Sequence, residues 1–329
     1  MSSTRKRIVI ASTAALLLVG LAGCGGGTST TTAASDFPRR DITLIVPFSA
    51  GGSTDIIGRQ VAQMLGTISG VSVVVENVAG GGGSIGTVQG LTSAPDGYTL
   101  VYSSNSILGF QPLANPDLPF GDPDSYTPLA KLSYQATNLV VRQDSPFQTL
   151  DDFIAHAKQH PGELRLSNSG AHTTNDVMER AWAQAAGIEI TRVPMTQGAS
   201  ESMENLLSGT TDGAMEYAAS AVHLTEGGLA RCLAVFDTVA SKLFPDCPLV
   251  PEYADPKISI PPAAYLIAPP GLPADVEQKL VDMIKEMVAM PEWAQFMDDR
   301  GMVPDAQFAD TWVHEVVEAQ EVFKNLPPE

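Results

Sequence analysis

Short apolar runs alternate with amphipathic segments from Phe37 onward. In the first cycle, 41-DITLIVPF-48 is rich in β-branched residues, and 56-IIGRQVAQML-65 repeats its apolar residues three and four positions apart. Apolar runs of the first kind are typical of buried strands, and the second spacing is that of one helix face. Strands that alternate with helices predict an α/β fold with mixed, mainly parallel sheets.

The same cycle continues towards the C-terminus. Further strands are predicted at 71–77, 98–104, 137–143, 163–168, 188–194, 212–218, 230–236 and 261–270. Further helices are predicted at 84–94, 149–160, 174–187, 199–209, 274–289, 292–300 and 309–324. The proline-rich stretch 112–128 has no clear period and is expected to lie over the surface.

The N-terminus has the form of an export signal. Three basic residues precede the apolar core 8-IVIASTAALLLVGLAG-23, which is shorter than the roughly 20 residues that span a bilayer. The core ends in 21-LAGC-24, which resembles a bacterial lipobox with Cys24 as the lipidated residue; a permanent membrane anchor is the alternative. We therefore predict a signal peptide at 1–23 and, from its Gly, Ser and Thr content, a flexible tether at 24–36.

The rest of the chain is long enough for two domains of ordinary size. We assign 37–137 to a first domain, 138–261 to an inserted second domain, and 262–329 to a helical return segment of the first. No Gly/Ser-rich linker separates these segments, so crossing strands are expected near 136–139 and 261–264.

The charge of the chain limits its partners. Its formal net charge is −18, and loss of the three basic residues of the predicted signal would make it −21. Such a surface repels phosphates, which argues against nucleic-acid binding. An anion site would have to be built locally.

Two cysteines remain besides Cys24. In an oxidising compartment Cys232 and Cys247 are expected to form a disulfide, with two buried free thiols as the alternative. No histidine or further cysteine stands at ligand spacing beside either one, so neither a metal site nor a cofactor is predicted.

The glycine run 80-GGGGSIG-86 matches two catalytic patterns. It contains G-x-S-x-G, with Ser84 as a nucleophile, and G-x-G-x-x-G, a dinucleotide fingerprint. A hydrolase elbow needs a tight strand-to-helix turn, whereas the stretch between Asn77 and Ser84 is long. The dinucleotide pattern needs an acidic strand end about 20 residues on, but Asp96 stands in a Pro-Asp-Gly turn. Neither pattern is favoured, and a secreted serine hydrolase using Ser84 is kept as the alternative function.

Three loops share a different pattern, in which a strand leads through small polar residues into a helix. They are 47-PFSAGGSTD-55, 167-SNSGAHTTND-176 and 194-PMTQGAS-200. Ligands of open α/β sheets lie at the carboxyl ends of strands, where free amides and the positive helix end converge. Ser53, Thr54 or Asp55 is expected to cap the first helix, and Asp55 and Arg59 have i,i+4 spacing. A cleft built in this way can hold carboxylates without a buried cation.

Several segments together resemble the solute receptors of tripartite tricarboxylate transporters, the TctC or Bug family. They are 37-FPRRDITLIVPFSAGGSTDIIGR-59, 75-VENVAGGGGSIGT-87, 95-PDGYTL-100 and 206-LLSGTTDGAM-215, with 269-PPGLP-273 as weaker support. The resemblance implies a two-domain periplasmic-binding-protein fold of the Venus flytrap type, similar to type II, with the ligand cleft between domains. It also implies a receptor, not an enzyme, that delivers a small carboxylate to a permease of one large and one small subunit.

The resemblance implies ligand contacts in the three loops, to which we add the residue after the third predicted strand. The candidate ligand-binding residues are Phe48, Ser49, Ala50, Gly51, Gly52, Thr54, Asp55, Asn105, Ser169, Gly170, Thr173, Gln197 and Gly198. This chain departs from the family pattern at His172, where a glycine is usual, and at Asp176, where a histidine is usual. His172 either faces the cleft or is an exposed loop histidine, and the third loop is about one residue longer than usual.

The expected function is that of a monomeric, lipid-anchored, extracytoplasmic receptor for a small organic acid. A sensor that reports its ligand state to a membrane kinase is a further alternative. Tricarboxylates, C4 dicarboxylates, aromatic acids and amino acids are all compatible with a site made mostly of backbone amides. The few cations in the loops favour mono- or dicarboxylates.

Overall fold

Two mixed β-sheets flanked by helices form the computed structural model, which describes residues 36–237, 239–250 and 262–326. The predicted signal peptide, Cys24 and the tether up to residue 35 lie outside these residues. Within the described ranges, every helix is too short or too polar to span a bilayer.

The strands lie in two groups along the chain. They are β1 (Ile42–Val46), β2 (Val73–Asn77), β3 (Thr99–Ser104), β4 (Thr127–Gln135), β5 (Thr137–Arg142), β6 (Arg165–Asn168), β7 (Thr191–Pro194), β8 (Gly213–Tyr217), β9 (Ala230–Phe236), β10 (Ala263–Ala268) and β11 (Met302–Phe308). The α-helices are α1 (Ser53–Ser69), α2 (Ser84–Leu91), α3 (Gln111–Ala114), α4 (Leu150–Gln159), α5 (Thr174–Ala186), α6 (Ala199–Ser208), α7 (Ala218–Glu226), α8 (Ala274–Ala289), α9 (Pro291–Asp299) and α10 (Val313–Lys324).

The first sheet has the strand order β11-β4-β10-β3-β1-β2. β1 is parallel to β2 and β3, whereas β10 runs antiparallel to β3 and β4. Helices cover both faces, which explains why β1 is apolar along its length. Leu44 belongs to a core with Val61 of α1 and Ile284 of α8, and Ile45 belongs to the core on the other face with Trp312.

The second sheet has the order β7-β6-β8-β5-β9, in which β6 is parallel to β7 and β8 and β5 is antiparallel to its neighbours. Leu166 of β6 shares a core with Trp182 of α5 and Phe153 of α4. A disulfide joins Cys232 of β9 to Cys247, with 5.7 Å between the Cα atoms.

The chain passes between the sheets through a very short segment. β4 ends at Gln135 and β5 begins at Thr137, so Ala136 alone separates a strand of one sheet from a strand of the other. The Gln135 N–H donates to the carbonyl of Pro262, just before β10, at 3.0 Å. The residue before β10 therefore lies beside the passage at Ala136, while the assigned domain boundaries at 137/138 and 261/262 stay predictions.

The C-terminal helix α10 links both parts. The Phe323 ring lies 5.5 Å from the Phe110 ring, which follows β3, and 5.8 Å from the imidazole of His172, which precedes α5. Val177 of α5 belongs to the same small apolar cluster. α10 thus packs against the end of the first sheet and against the helix that begins at the second.

Some elements differ from the prediction. α3, β4, α7 and β11 have no predicted counterpart, and α1 begins at Ser53, so residues 53–55 form its first turn. The stretch 112–128 is not wholly at the surface, because Phe120 and Tyr126 are buried in the core around Trp312.

Candidate functional site

The first loop, residues 47–52, joins β1 to α1. Gly51 has a φ of 87°, and Gly52 is the N-cap of α1 and forms no side-chain capping bond. The prediction that Ser53, Thr54 or Asp55 caps the helix is therefore wrong, because these residues already lie inside its first turn. Their N–H groups have no acceptor within the helix, and the helix dipole adds positive potential at this end.

Asp55 fixes this loop through hydrogen bonds of its buried carboxylate. Its side chain is 3% exposed and accepts hydrogen bonds from the Gly51 N–H at 2.8 Å, from Arg59 Nε at 2.9 Å and from Asn77 Nδ2 at 2.9 Å. The predicted pair with Arg59 is thus confirmed. Burial raises the pKa of the Asp55 carboxyl, but the bonds from Arg59, Gly51 and Asn77 outweigh burial and leave the pKa below its ordinary value. Asp55 is therefore an ionised support of the loop.

The glycine run is a tight backbone turn beside the first loop. Gly80 to Gly83 all have positive φ angles, of 130°, 57°, 62° and 96°. A Cβ on Gly83 would lie 2.9 Å from the Ile107 side chain and 3.3 Å from the ring of Phe48. Ser84 begins α2, and no hydrogen bond among the described residues joins its hydroxyl to a histidine.

The second loop, residues 169–173, joins β6 to α5. Its Gly170 has a φ of 141° and donates its N–H to Asn168 Oδ1 at 3.0 Å. Thr173 Oγ1 donates to the Gly170 carbonyl at 2.7 Å and caps α5 by accepting the Asp176 N–H at 3.4 Å. Ser169 Oγ accepts a bond from Asn175 Nδ2 at 3.1 Å. Thr173 therefore shapes the loop, and Ser169 keeps a hydroxyl hydrogen that can be donated.

The two departures from the family pattern contact one another. Asp176 is fully buried, accepts the His172 N–H at 3.0 Å and pairs with Arg192 Nη1 at 2.6 Å. His172 adopts a φ of 58°, and its half-buried ring faces Phe323. His172 is consequently neither a freely exposed loop histidine nor an isolated cleft residue.

The third loop, residues 195–198, joins β7 to α6. Glu201 accepts the N–H of Thr196 at 2.9 Å and the N–H of Gln197 at 2.8 Å. Gly198 is the N-cap of α6 with a φ of 88°. Glu201 thus fixes the backbone of Gln197 and does not engage the Gln197 side chain.

All three loops share one side-chain-to-backbone hydrogen bond that was not predicted from the sequence. The third residue of each helix is an acid that accepts the N–H of the residue four positions earlier, in the pairs Asp55–Gly51, Asp176–His172 and Glu201–Gln197. This arrangement resembles a capping box, in which the third helical residue bonds backwards to the N-cap. It closes each loop without using the amides of the first two helical residues. An acid at this position was the only signal for it in the sequence.

Asn105 lies where the two sheets meet. It is 2% exposed, and its Oδ1 accepts Thr174 Oγ1 at 3.1 Å and the Ala263 N–H at 3.4 Å. The end of β3 is therefore tied to the N-terminus of α5 and to β10. This brings one candidate residue of the first sheet next to the second loop, although ligand contact by Asn105 and by the other candidates stays a prediction.

The model of the tripartite tricarboxylate transporter family receptor, TctC, matches residues 57–323. The chain belongs to this receptor family. A protein of Cupriavidus necator, described as "UPF0065 protein in gbd 5'region", is 32% identical over 302 residues, which cover 90% of this chain and 87% of the relative. The resemblance found in the sequence is confirmed.

Solved structures agree with the TctC fold. R. palustris Rpa4515 with adipate has a TM-score of 0.80 at 25% identity and covers 88% of this chain and 98% of its own. MatC of Rhodopseudomonas palustris with bound malate has a TM-score of 0.76 at 24% identity over 87% of this chain and 100% of its own. The latter concerns the fold alone, and together they confirm the predicted periplasmic-binding-protein fold with two mixed α/β sheets. The expectation that the sheets are mainly parallel is wrong, because four of the nine strand pairings among the described residues are parallel.

Membership of the TctC family also bears on activity and location. The family consists of receptors of tripartite transporters, which agrees with a binding protein and not with an enzyme. A solved structure that is 29% identical is described as a periplasmic transporter, and a receptor of the TctC family is extracytoplasmic. Among the described residues, no three His, Cys, Asp or Glu side chains are grouped as metal ligands would be.

Proposed function

We propose that the protein is a lipid-anchored, monomeric receptor that captures a small carboxylic acid and delivers it to a tripartite-type permease of one large and one small subunit. The observation that carries the proposal is the uncapped N-terminus of α1, where Asp55 faces inward and the amides of Ser53 and Thr54 have no intrahelical acceptor. Free amides at a positive helix end bind anions without a buried cation. A carboxylate is the anion that fits the family.

The comparisons support this ligand class. Rpa4515 was solved with adipate and MatC with malate, and both ligands are dicarboxylates. The candidate loops of this chain offer amides and hydroxyls, and Arg59 is engaged by Asp55. A ligand with one or two carboxylates is therefore proposed in preference to a tricarboxylate.

Closure of the two sheets over the ligand completes the proposed mechanism. Ala136 and the neighbouring passage at Pro262 supply two adjacent crossings about which the parts can rotate. The first loop would hold one end of the ligand, and Ser169, Gln197 and their loops would contact the other. A lipid on Cys24, proposed from 21-LAGC-24, would keep the receptor close to the permease.

A thermal-shift screen of the purified protein against organic acids tests the proposal. A ligand at one hundred times its Kd adds about 2.7 kcal/mol of stability, which corresponds to a rise in Tm of roughly 5 to 10 °C. Gly52→Val should abolish the shift, because it adds a branched side chain beside the helix amides. The added Cβ itself fits, since the nearest atom, the Ser49 carbonyl oxygen, is 3.8 Å away.

Thr67→Val is the matched control, because Thr67 is exposed near the opposite end of α1. It should leave the shift unchanged. A flat response of the wild-type protein to mono-, di- and tricarboxylates alike would contradict the proposal.

A further inference from the structure

A buried hydrogen-bond relay lies behind Ser169, and Asn175 is its centre. Asn175 Oδ1 accepts a bond from Thr137 Oγ1 at 3.1 Å, and Asn175 Nδ2 donates to Ser169 Oγ at 3.1 Å and to Glu216 Oε2 at 3.2 Å. Asn175 and Glu216 are fully buried, and Thr137 is 3% exposed. The relay joins β5, β8 and α5 to one hydroxyl of the second loop.

The relay determines which hydrogen-bonding role the Ser169 hydroxyl has towards the protein interior. An asparagine NH₂ group has two hydrogens and no acceptor, and here both hydrogens are used, one on Ser169 and one on Glu216. Ser169 Oγ must therefore accept from the protein interior. Its own hydrogen then remains to be donated, and Ser169 is half-buried in the loop that follows the carboxyl end of β6.

An unprotonated Glu216 Oε2 keeps the amide in this orientation. With the amide rotated by a half-turn, Asn175 Oδ1 would face Glu216 Oε2, and two acceptors would meet whenever that oxygen carries no proton. Glu216 Oε1 is buried and has no hydrogen-bond partner among the described residues. A neutral Glu216 with its proton on Oε1 and an ionised Glu216 both accept from Asn175 through Oε2.

Glu216 lies in an acidic surrounding. Glu179 of α5 interacts electrostatically with Glu216 and with Asp176, and Asp176 is paired with Arg192 of β7. Tyr217 follows Glu216 in β8 and interacts with it as well. Burial raises the pKa of Glu216 to about 8, and the Asn175 side chain with the nearby Ser202 hydroxyl and Tyr217 amide offsets only part of this effect. Glu216 is therefore mainly neutral at pH 7 and ionises in mildly alkaline solution.

We propose that Asn175 and Glu216 are positioning residues that fix Ser169 as a hydrogen-bond donor, so that the second half of the site selects ligands with an oxygen acceptor at their far end. The proposal rests on the proposed function, since it assumes that a carboxylate occupies the first loop. A second carboxylate or a carbonyl accepts the Ser169 hydrogen, whereas neither an ammonium group nor an alkyl end can accept it, so both leave this donor unpaired.

Matched straight-chain acids test the selection by titration calorimetry on the purified protein. The six-carbon probes are adipate, 6-aminohexanoate and hexanoate, and the four-carbon probes are succinate, 4-aminobutanoate and butanoate. We expect the diacid of at least one length to bind about tenfold or more tightly than its two partners. Equal or tighter binding of the ammonium or alkyl acid would overturn the proposal and leave the proposed function intact. If none of the six binds, the selection proposal fails, and the thermal-shift screen of mono-, di- and tricarboxylates decides separately on the proposed function.

Substitutions test whether Asn175 orients the Ser169 hydroxyl or only stabilises the fold. Ser169→Ala should remove the preference for the diacid, and Asn175→Asp should remove it as well, because aspartate offers only acceptors to Ser169 when ionised. Asn115→Asp makes the same chemical change at an exposed position and should keep the preference. Retention of the preference in both Ser169→Ala and Asn175→Asp would contradict the proposal.

A pH profile keeps the test informative if Asn175→Asp does not fold. In the wild type, diacid affinity should fall as the pH rises from 7 to 9, because ionised Glu216 places a negative charge behind Ser169. Glu216→Gln cannot ionise and should lose this step. A step of the same size in Glu216→Gln would overturn the role of Glu216, since a purely structural effect would shift both profiles equally.

Discussion

Asp55 Oδ2 accepts the backbone N–H of Gly51 at 2.8 Å, and this bond joins the first loop to the first turn of α1. The same carboxylate receives Arg59 and Asn77, so its charge is compensated inside the protein. A negatively charged residue can therefore stand beside a proposed carboxylate site, because its charge is compensated by these donors and it fixes the loop that precedes the helix amides.

Asp55→Asn should destabilise the protein and weaken acid binding. The amide cannot ion-pair with Arg59, and its NH₂ group would replace one accepting oxygen and face groups that are themselves donors. Loss of a charged, largely buried hydrogen-bond set costs about 2 kcal/mol. Urea unfolding would measure this loss, and Asp282→Asn is the control, because its pair with Lys285 is exposed and 3.7 Å long. Equal effects of the two substitutions would contradict the supporting role of Asp55.

The elements that could be predicted are those with local signals. β1, β2 and β3 each contain at least three consecutive apolar residues, and α4 begins beside Thr149, the first residue of the predicted helix 149–160 and the N-cap of a capping box with Asp152. β11 could not be found in this way, because 302-MVPDAQF-308 contains a proline and two polar residues. It is a strand because it pairs with β4, far away in the sequence, where the buried Lys131 bonds Asp305 and Glu315.

The candidate site divides in the same way. Its loops could be predicted, because glycine and small polar residues between a strand and a helix are a local pattern. The relay could not, since Asn175 and Glu216 are 41 residues apart and each resembles an ordinary helix or strand residue. Asn105 was predicted as a ligand contact, but only the fold shows that its Oδ1 is bound to Thr174 and Ala263.

Gly86→Ala should be destabilising although alanine is the better helix former. A Cβ at Gly86 would lie 2.6 Å from the Val78 carbonyl oxygen and 3.0 Å from Pro47 Cα, so backbone would have to move. Overpacking of this kind costs about 1–3 kcal/mol. Gly52→Ala is the control, since its new Cβ meets only the Ser49 carbonyl oxygen at 3.8 Å. Chemical denaturation of the two variants should differ by more than 1 kcal/mol, and similar midpoints would show that the contact with Val78 can relax.

Removal of the disulfide between Cys232 and Cys247 should lower stability. The two residues are 15 apart, and a loop of this length contributes about 3 kcal/mol by constraining the unfolded chain. The double variant Cys232→Ser/Cys247→Ser should therefore melt roughly 6 to 12 °C below the wild type. Reduced wild-type protein should have the same Tm as the double variant. Identical melting of oxidised, reduced and double-variant protein would contradict the expected contribution.

Glu216 should make the stability of the protein fall as the pH rises from 5 to 8. Its ordinary pKa is 4.5, and burial raises the pKa in the folded state to about 8. Between these values the unfolded chain releases a proton that the folded protein retains. The contribution of Glu216 is thus fully present below the unfolded pKa and is lost at up to about 1.4 kcal/mol per pH unit. The pKa of buried Glu179 is raised too, so it acts in the same direction.

Urea unfolding at pH 5, 6.5 and 8 measures this dependence in the wild type and in Glu216→Gln. Glutamine cannot titrate, so the free energy of unfolding of the variant should rise steadily relative to that of the wild type as the pH rises. This holds whatever the stability of the variant at pH 5. Glu286→Gln removes an exposed acid of α8 and should follow the wild-type curve. If the Glu216→Gln and wild-type curves run parallel, Glu216 is already ionised in the folded protein, and a negative charge stands behind Ser169 at neutral pH.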